Sequence, residues 1–503
     1  MGMFARGVRA RWGRIFAIVV VLSIALGTNV TSFSGGTAQA ADLSQFDAGN
    51  IISDSIFFSG DALSESQVQA FLNQKVPNCT INNGDPSHAA GAGYGSTNIA
   101  DVCLKDYWQR TPSMAAQSGA CAAYSGASGG ESAASIIAKV GQACNVSQKV
   151  LLVLLEKEQS LITDSWPTVR QINQATGFAC YDNGQPCVQD YAGFFYQVWS
   201  AARQFQRYSS APFTWYPVGQ TSNVAYQANR PDCGTKAVFI SNRATAALYY
   251  YTPYTPNAAA LAAGYGTGDS CSAYGNRNFY QLYVDWFGSS KGFSVASTFY
   301  DQYTATGGGN GFLGSPTGTY SCGLVAGGCY QTFQGGYIFT SPATGTHAVR
   351  PEVRNVWGSY RAENGQLGYP TSDPSNNTNT YTQTFQGGTV TVTNGTARLT
   401  AATDPWLNAV VTSDWLGTAT SNKSCGLKDG GCYQIFQGGY IFTSPASGTH
   451  SVRNEVRALW YTYRAENGQL GYPTSDPSNN TNTYTQTFQG GTVTVTNGTA
   501  RLG

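Results

Sequence analysis

The chain is 503 residues long, with 28 basic and 27 acidic residues, 42% hydrophobic and only 11% charged. That length is more than one ordinary domain, and so even a charge balance argues against nucleic acid as a partner, because phosphate binding needs clustered Lys and Arg. Twelve cysteines, with three histidines and no Cys-x-x-Cys, favour disulfides over zinc, and nothing calls for a metal or a cofactor.

The first 40 residues read as a removable secretory signal. Arg6, Arg9, Arg11 and Arg14 precede the apolar run IFAIVVVLSIAL, and the polar stretch after it ends in Ala-Gln-Ala at 38–40, the small-residue pattern of a cleavage site. The run is shorter than the roughly 20 apolar residues of a membrane span. No later stretch qualifies, so no transmembrane segment is expected in the mature chain. Once the four leader arginines are removed, 24 basic residues face 27 acidic ones, and the mature chain is slightly acidic. Export places an even set of cysteines in an oxidising compartment, where disulfides form.

Residues 41–290 show helical periodicity in four places. SESQVQAFLN at 64–73 opens with Ser64 and Gln67 at capping-box spacing. ESAASIIAKVGQAC at 131–144, KVLLVLLEKEQSLIT at 149–163 and FFYQVWSAARQFQRY at 194–208 follow. One mainly helical domain held by disulfides is expected. Cys180 and Cys187 enclose six residues, a small-loop spacing repeated by Cys322 with Cys329 and by Cys425 with Cys432. Cys79, Cys103, Cys121, Cys144, Cys233 and Cys271 complete the set, and pairing in sequence order is one of the connectivities open to them. The aromatic stretches FTWYP at 213–217 and YYYTPYTP at 249–256 either stack on sugar rings or fill the core. The core is preferred for most of them, with Trp215 and Tyr216 expected to stay exposed.

The 149–163 helix carries an acid where an apolar residue is expected. At 100° per residue, Leu151, Leu154, Leu155, Glu158 and Ile162 share one face, while Lys149, Glu156 and Lys157 lie opposite. Glu156 then reads as an ordinary surface carboxylate and Glu158 as the anomaly. Burial disfavours the charged form of a carboxyl, and a protonated acid near neutral pH is what glycosidic-bond cleavage requires. The structural alternative is a carboxylate at a helix end, paired with Arg170 or Arg203. Competing chemistries lack their motifs: there is no G-x-S-x-G elbow and no phosphate loop.

Self-comparison divides the chain near residue 290. RAENGQLGYPTSDPSNNTNTYTQTFQGGTVTVTNGTARL fills 361–399 and recurs letter for letter at 464–502, a period of 103 residues. Each long repeat is itself double, since Phe-Gln-Gly-Gly recurs at 333, 385, 436 and 488 and Leu-Gly at 313, 367, 416 and 470. Four units of about 50 residues result. Val353, Val356, Trp357 and Tyr360 predict a helix over 351–363, closed by Gly365. A Leu-Gly-Tyr-Pro turn comes next, and YQTFQGGYIFT predicts a hairpin. Val456, Leu459, Trp460 and Tyr463 repeat the stripe, and these helix aromatics read as core. His347 and His450 occupy the same position in two long repeats and read as packed or solvent-facing rather than metal-binding.

GFLGSP, GQLGYP, DWLGTA and GQLGYP resemble the LGFP repeats of secreted actinobacterial proteins, over roughly 295–503. The resemblance implies attachment to the cell wall, with wall polysaccharide or peptidoglycan as partner. The third copy departs from it, with Thr418 and Ala419 where the aromatic and the proline belong. Further upstream, an alanine-rich helix, NVSQKVLLVLLEKEQSL, a turn, QATGFAC at 174–180 and another helix are similar in order to the lysozyme-like transglycosylase fold. The whole of 41–290 also resembles the front half of actinobacterial proteins described as hemagglutinin-like.

This second resemblance implies that Glu158 is the catalytic acid. Gln159 follows it where the family has Ser, and Ala175-Thr176-Gly177 lies across the sugar cleft. Tyr181 and Asp182 would line that cleft, and Trp215 is the aromatic expected to meet a sugar. Gly177-Phe178-Ala179-Cys180 replaces the family's Gly-Leu-Met-Gln. A hydrolase needs a second carboxylate, for which Asp164, Asp182 and Asp190 are candidates. A lytic transglycosylase needs none, because the N-acetyl group of the substrate assists, and this one-acid scheme is preferred. The expectation is therefore a multidomain, secreted, wall-associated protein. A mainly α lysozyme-like domain with disulfides would cleave peptidoglycan as a lytic transglycosylase or muramidase, ahead of small α+β LGFP-type units. The alternative is a non-catalytic glycan-binding adhesin.

Overall fold

The computed structural model describes residues 41–81, 100–180, 187–210, 213–375, 379–417, 419–478 and 482–503. The leader, His88, Tyr181, Asp182 and Thr418 lie outside the described residues. Helices build the first part of the chain. The Glu65–Lys75 helix starts at Ser64, whose hydroxyl accepts from the Gln67 amide while the Gln67 side chain returns to the Ser64 amide, a complete capping box. The Ala133–Cys144 helix, the Gln148–Gln159 helix, the Phe194–Ser210 helix and the Gly275–Phe287 helix surround one core. Gln148 to Leu155 are all buried, so this helix is wrapped on every side. It stops at Ser160, in the left-handed conformation at φ 56°, instead of running on to Thr163. Six disulfides join the cysteines in sequence order: 79 to 103, 121 to 144, 180 to 187, 233 to 271, 322 to 329 and 425 to 432.

The second part is a run of four units, each a helix, a Leu-Gly turn and an antiparallel meander. The leading helices are Ser297–Ala305, Pro351–Ser359, Pro405–Thr412 and Asn454–Thr462. Meanders of four strands alternate with meanders of three. In the four-stranded ones the extra strand pairs Cys322 opposite Cys329 and Cys425 opposite Cys432, and the disulfide pins that edge. The helix expected over 351–363 is shorter. The chain leaves it at Tyr360 and turns through Arg361 at φ 67°, before Gly365 is reached. The expected Gln-Gly-Gly hairpin is the inner pair of a larger meander.

Strand alternation binds the units to one another. Ile338 faces the core of the first unit, whereas Phe339, one residue on, packs with Trp357 in the second. Ile441 and Phe442 divide the third core from the fourth in the same way. Each four-stranded sheet therefore serves two cores, and no unit buries its apolar face alone. The first unit joins the helical part in the same fashion: Phe299, Leu313, Phe333 and Ile338 belong to the helical domain's own core. The change near residue 290 is one of architecture, with no gap in the packing.

Candidate functional site

Glu158 sits in the last turn of its helix with its side chain 23% exposed. One carboxylate oxygen pairs with the Lys157 ammonium, which also donates to Thr252 Oγ1 at 3.2 Å. Lys157 thus takes the place expected of Arg170 or Arg203. The other oxygen, Oε2, faces Gly177, where an added Cβ would stand 3.2 Å away. Gly177 is at φ +67°, so both its backbone and its proximity to the acid call for glycine. The Ala175-Thr176-Gly177 segment is held from behind by Tyr251, whose hydroxyl donates to the Thr176 carbonyl at 2.7 Å. Burial, and then the Glu158 charge, push the Tyr251 phenol well above its usual range.

The two neighbouring ionisable residues reverse their expected roles. Glu156 is no solvated carboxylate. It accepts from the amides of Ile162 and Thr163 at 3.0 and 3.1 Å and from the Thr163 hydroxyl at 2.6 Å, and burial pushes its carboxyl up. A helical wheel misses this because the chain turns back at Ser160 and lays residues 162–163 over the helix end. Lys149, placed on the same polar face, is 4% exposed.

The remaining expected residues separate into packed and open ones. Thr176 is fully buried and its hydroxyl donates to the Gln197 carbonyl at 3.0 Å, so its side chain belongs to the packing and not to a sugar contact. Gln159 holds the loop through its carbonyl, which accepts from Gln171 Nε2 at 2.8 Å, and its side-chain oxygen is buried without a donor among the described residues. Asp164 accepts from the Trp166 amide and from Gln171 Nε2, both at 2.8 Å, which makes it a turn-building carboxylate. Asp190 is exposed in a short 3₁₀ turn. Trp215 stands 77% exposed, while Tyr216, expected beside it at the surface, is 9% exposed among Tyr249 and Tyr250.

In the repeats, the Leu-Gly motif points inward. Leu313, Leu367, Leu416 and Leu470 are fully buried, and Tyr369 and Tyr472 nearly so. The Tyr369 hydroxyl donates to the Val325 carbonyl and that of Tyr472 to the Lys428 carbonyl, each at 2.6 Å, reaching into the preceding unit. The indoles of Trp357 and Trp460 donate to the Gly368 and Gly471 carbonyls at 2.8 and 2.9 Å. In the second and fourth units the motif is a clasp onto the unit before it. His347 and His450 take part in the same joints. Each Nδ1 lies 3.5 Å from a carboxylate of the following unit, Asp373 or Asp476, and each Nε2 meets the carbonyl of Thr344 or Ser447. No local pattern marks these partners, which stand 26 residues downstream. Among the described residues, no group of three or more His, Cys, Asp or Glu is arranged to hold a metal ion.

Comparison with known proteins identifies the repeats. The LGFP repeat family matches residues 313–365 and 416–468, each match running from a Leu-Gly turn through a four-stranded meander and the helix after it. No curated protein matches the chain. Among the described residues no helix is long and apolar enough to cross a membrane.

Proposed function

We propose that this is an exported, cell-wall-associated protein, tethered by its LGFP units and acting on wall glycan through the helical domain. LGFP repeats are consistent with cell-wall association, and six disulfides with an extracellular setting. For the helical domain, the supporting observation is the pairing of a half-buried acid at a helix end with the glycine of Ala175-Thr176-Gly177, Glu158 Oε2 facing Gly177. An acid in that setting can give a proton to a leaving sugar oxygen and take one back in the second half of a transglycosylase reaction. With Asp164 committed to its turn, the one-acid scheme fits better than a hydrolase scheme built on Asp164.

The Lys157 ion pair favours a second reading, a glycan-binding adhesin in which Glu158 orders the helix end. Incubating residues 41–503 with purified peptidoglycan and weighing the soluble products separates them. Anhydro-muropeptides support the transglycosylase, reducing-end fragments a muramidase, and retention on the wall without release the adhesin.

A further inference from the structure

The helix that ends near Glu158 begins with a second oddity. Lys149 has its Nζ 4.2 Å from the centre of the Tyr300 ring and 5.7 Å from that of Phe287, and makes no ion pair among the described residues. Burial pushes its ammonium down to about 7. It lines a cleft of about 690 Å³ where the helical domain meets the first repeat unit. Two more lysines line the same cleft. Lys75 Nζ lies 4.4 Å from the centre of the Trp286 ring, and Lys291 Nζ is buried with no acceptor among the described residues. Of the two carboxylates on the lining, Asp42 accepts from the Ser44 amide, and Asp285 accepts from the Ala41 amide and the Tyr265 hydroxyl while its charge acts on Lys75.

Glu156 and Asp285 attract Lys75 and Asp47 attracts Lys291, whereas Lys149 has no carboxylate acting on it; an unpaired ammonium in a partly dry cleft is costly, and an anion supplied from outside relieves that cost. The walls are aromatic, with Trp286, Phe287 and Tyr300 among the lining residues, and the volume falls in the roughly 300–1,000 Å³ range of small-ligand sites. Ring surface beside positive charge matches a ligand that pairs an acid group with a sugar ring, whose C–H face stacks on an aromatic side chain while its hydroxyls stay in water. We propose that this cleft binds an acidic saccharide, its carboxylate or phosphate held by Lys149 and its ring laid on the aromatic wall. The site is separate from Glu158 and does not depend on either reading of that residue.

The test is calorimetric titration of the purified protein, with tryptophan fluorescence in parallel. Trigalacturonate and glucose 6-phosphate serve as carboxylate- and phosphate-bearing probes, chitotriose and inorganic phosphate as controls. At least one acidic sugar should bind about tenfold more tightly than both controls, and Lys149→Met should weaken it about tenfold, the loss expected for a charged hydrogen bond. The melting temperature of Lys149→Met should hold or rise, because a similar volume replaces an unpaired buried charge. If that variant folds poorly, Lys291→Met carries the same expectation of weakened binding. No binding of either acidic sugar, equal affinity for a control, or undiminished binding in a folded variant would overturn the assignment.

Discussion

The repeats and the helical domain use polar groups in opposite ways. In the repeats the polar bonds at the joint between the first unit and the second recur between the third and the fourth, 103 residues on. Tyr369 to Val325 is matched by Tyr472 to Lys428, Trp357 to Gly368 by Trp460 to Gly471, and His347 with Asp373 by His450 with Asp476. In the helical domain the odd groups occur once: Glu158 against Gly177, and Lys149 among aromatic rings. Bonds that recur with the architecture are explained by it. Those that occur once are where specific chemistry is to be sought.

Substitution at the buried tryptophans should disturb the repeats most. Trp460→Ala removes a fully buried side chain from the last unit and should destabilise it by about 3–5 kcal/mol. Because the fourth core also takes in Phe442 and Val452 of the third unit, denaturant titration should show the fourth unit loosening early and weakening the third with it. Trp357→Ala, in a core flanked by others, should disturb its neighbours as well. A single unshifted transition in either variant would contradict the stacked arrangement.

Glu156→Gln comes next. An amide has one oxygen and an NH2, so it cannot accept both from the Ile162 and Thr163 amides and from the Thr163 hydroxyl; part of this set is lost, at about 1–3 kcal/mol. A helical wheel would predict almost no effect. Smaller still is Tyr369→Phe, which leaves the Val325 carbonyl without its donor and should cost about 1 kcal/mol, with Tyr472→Phe costing the same at the second joint. Unequal losses would show that the joints are not equivalent.

The smallest effect is the dependence on pH at the histidines. The polar contact with Asp373 lifts His347 above the usual imidazole range, and that with Asp476 does the same for His450, burial opposing both. Their stabilisation is present in full below the unfolded value near 6.5 and is lost as pH rises through the raised folded value. At a 3.5 Å contact it should be below about 1 kcal/mol per joint. Removing both histidines should flatten the stability profile over that range.

What was legible in the sequence follows the same division. Periodicity and the Ser64–Gln67 box located the helices, and letter-for-letter recurrence located the units, because both signals lie within a few turns or repeat many times. The strand that widens the meander was missed since Ser321–Leu324 is short and glycine-bearing, with almost no alternation. The roles of Glu156 and Lys149 were missed for another reason. A wheel projects one helix, whereas their surroundings come from residues 162–163 folding back and from Tyr300 of the first unit. Tyr216 is buried by tyrosines more than 30 residues away, which no local pattern reveals.

Glu158→Gln, assayed for peptidoglycan release and for thermal stability in the same preparation, decides whether Glu158 is an acid or a structural partner. The amide keeps the size of the side chain and the helix end, so the melting temperature should hold within a few degrees. Removing a general acid costs about 10²–10⁴-fold in rate, and release of anhydro-muropeptides should fall by that much. A variant that melts early while its folded fraction still digests wall would contradict the account, and would return Glu158 to the role of a structural partner for Lys157.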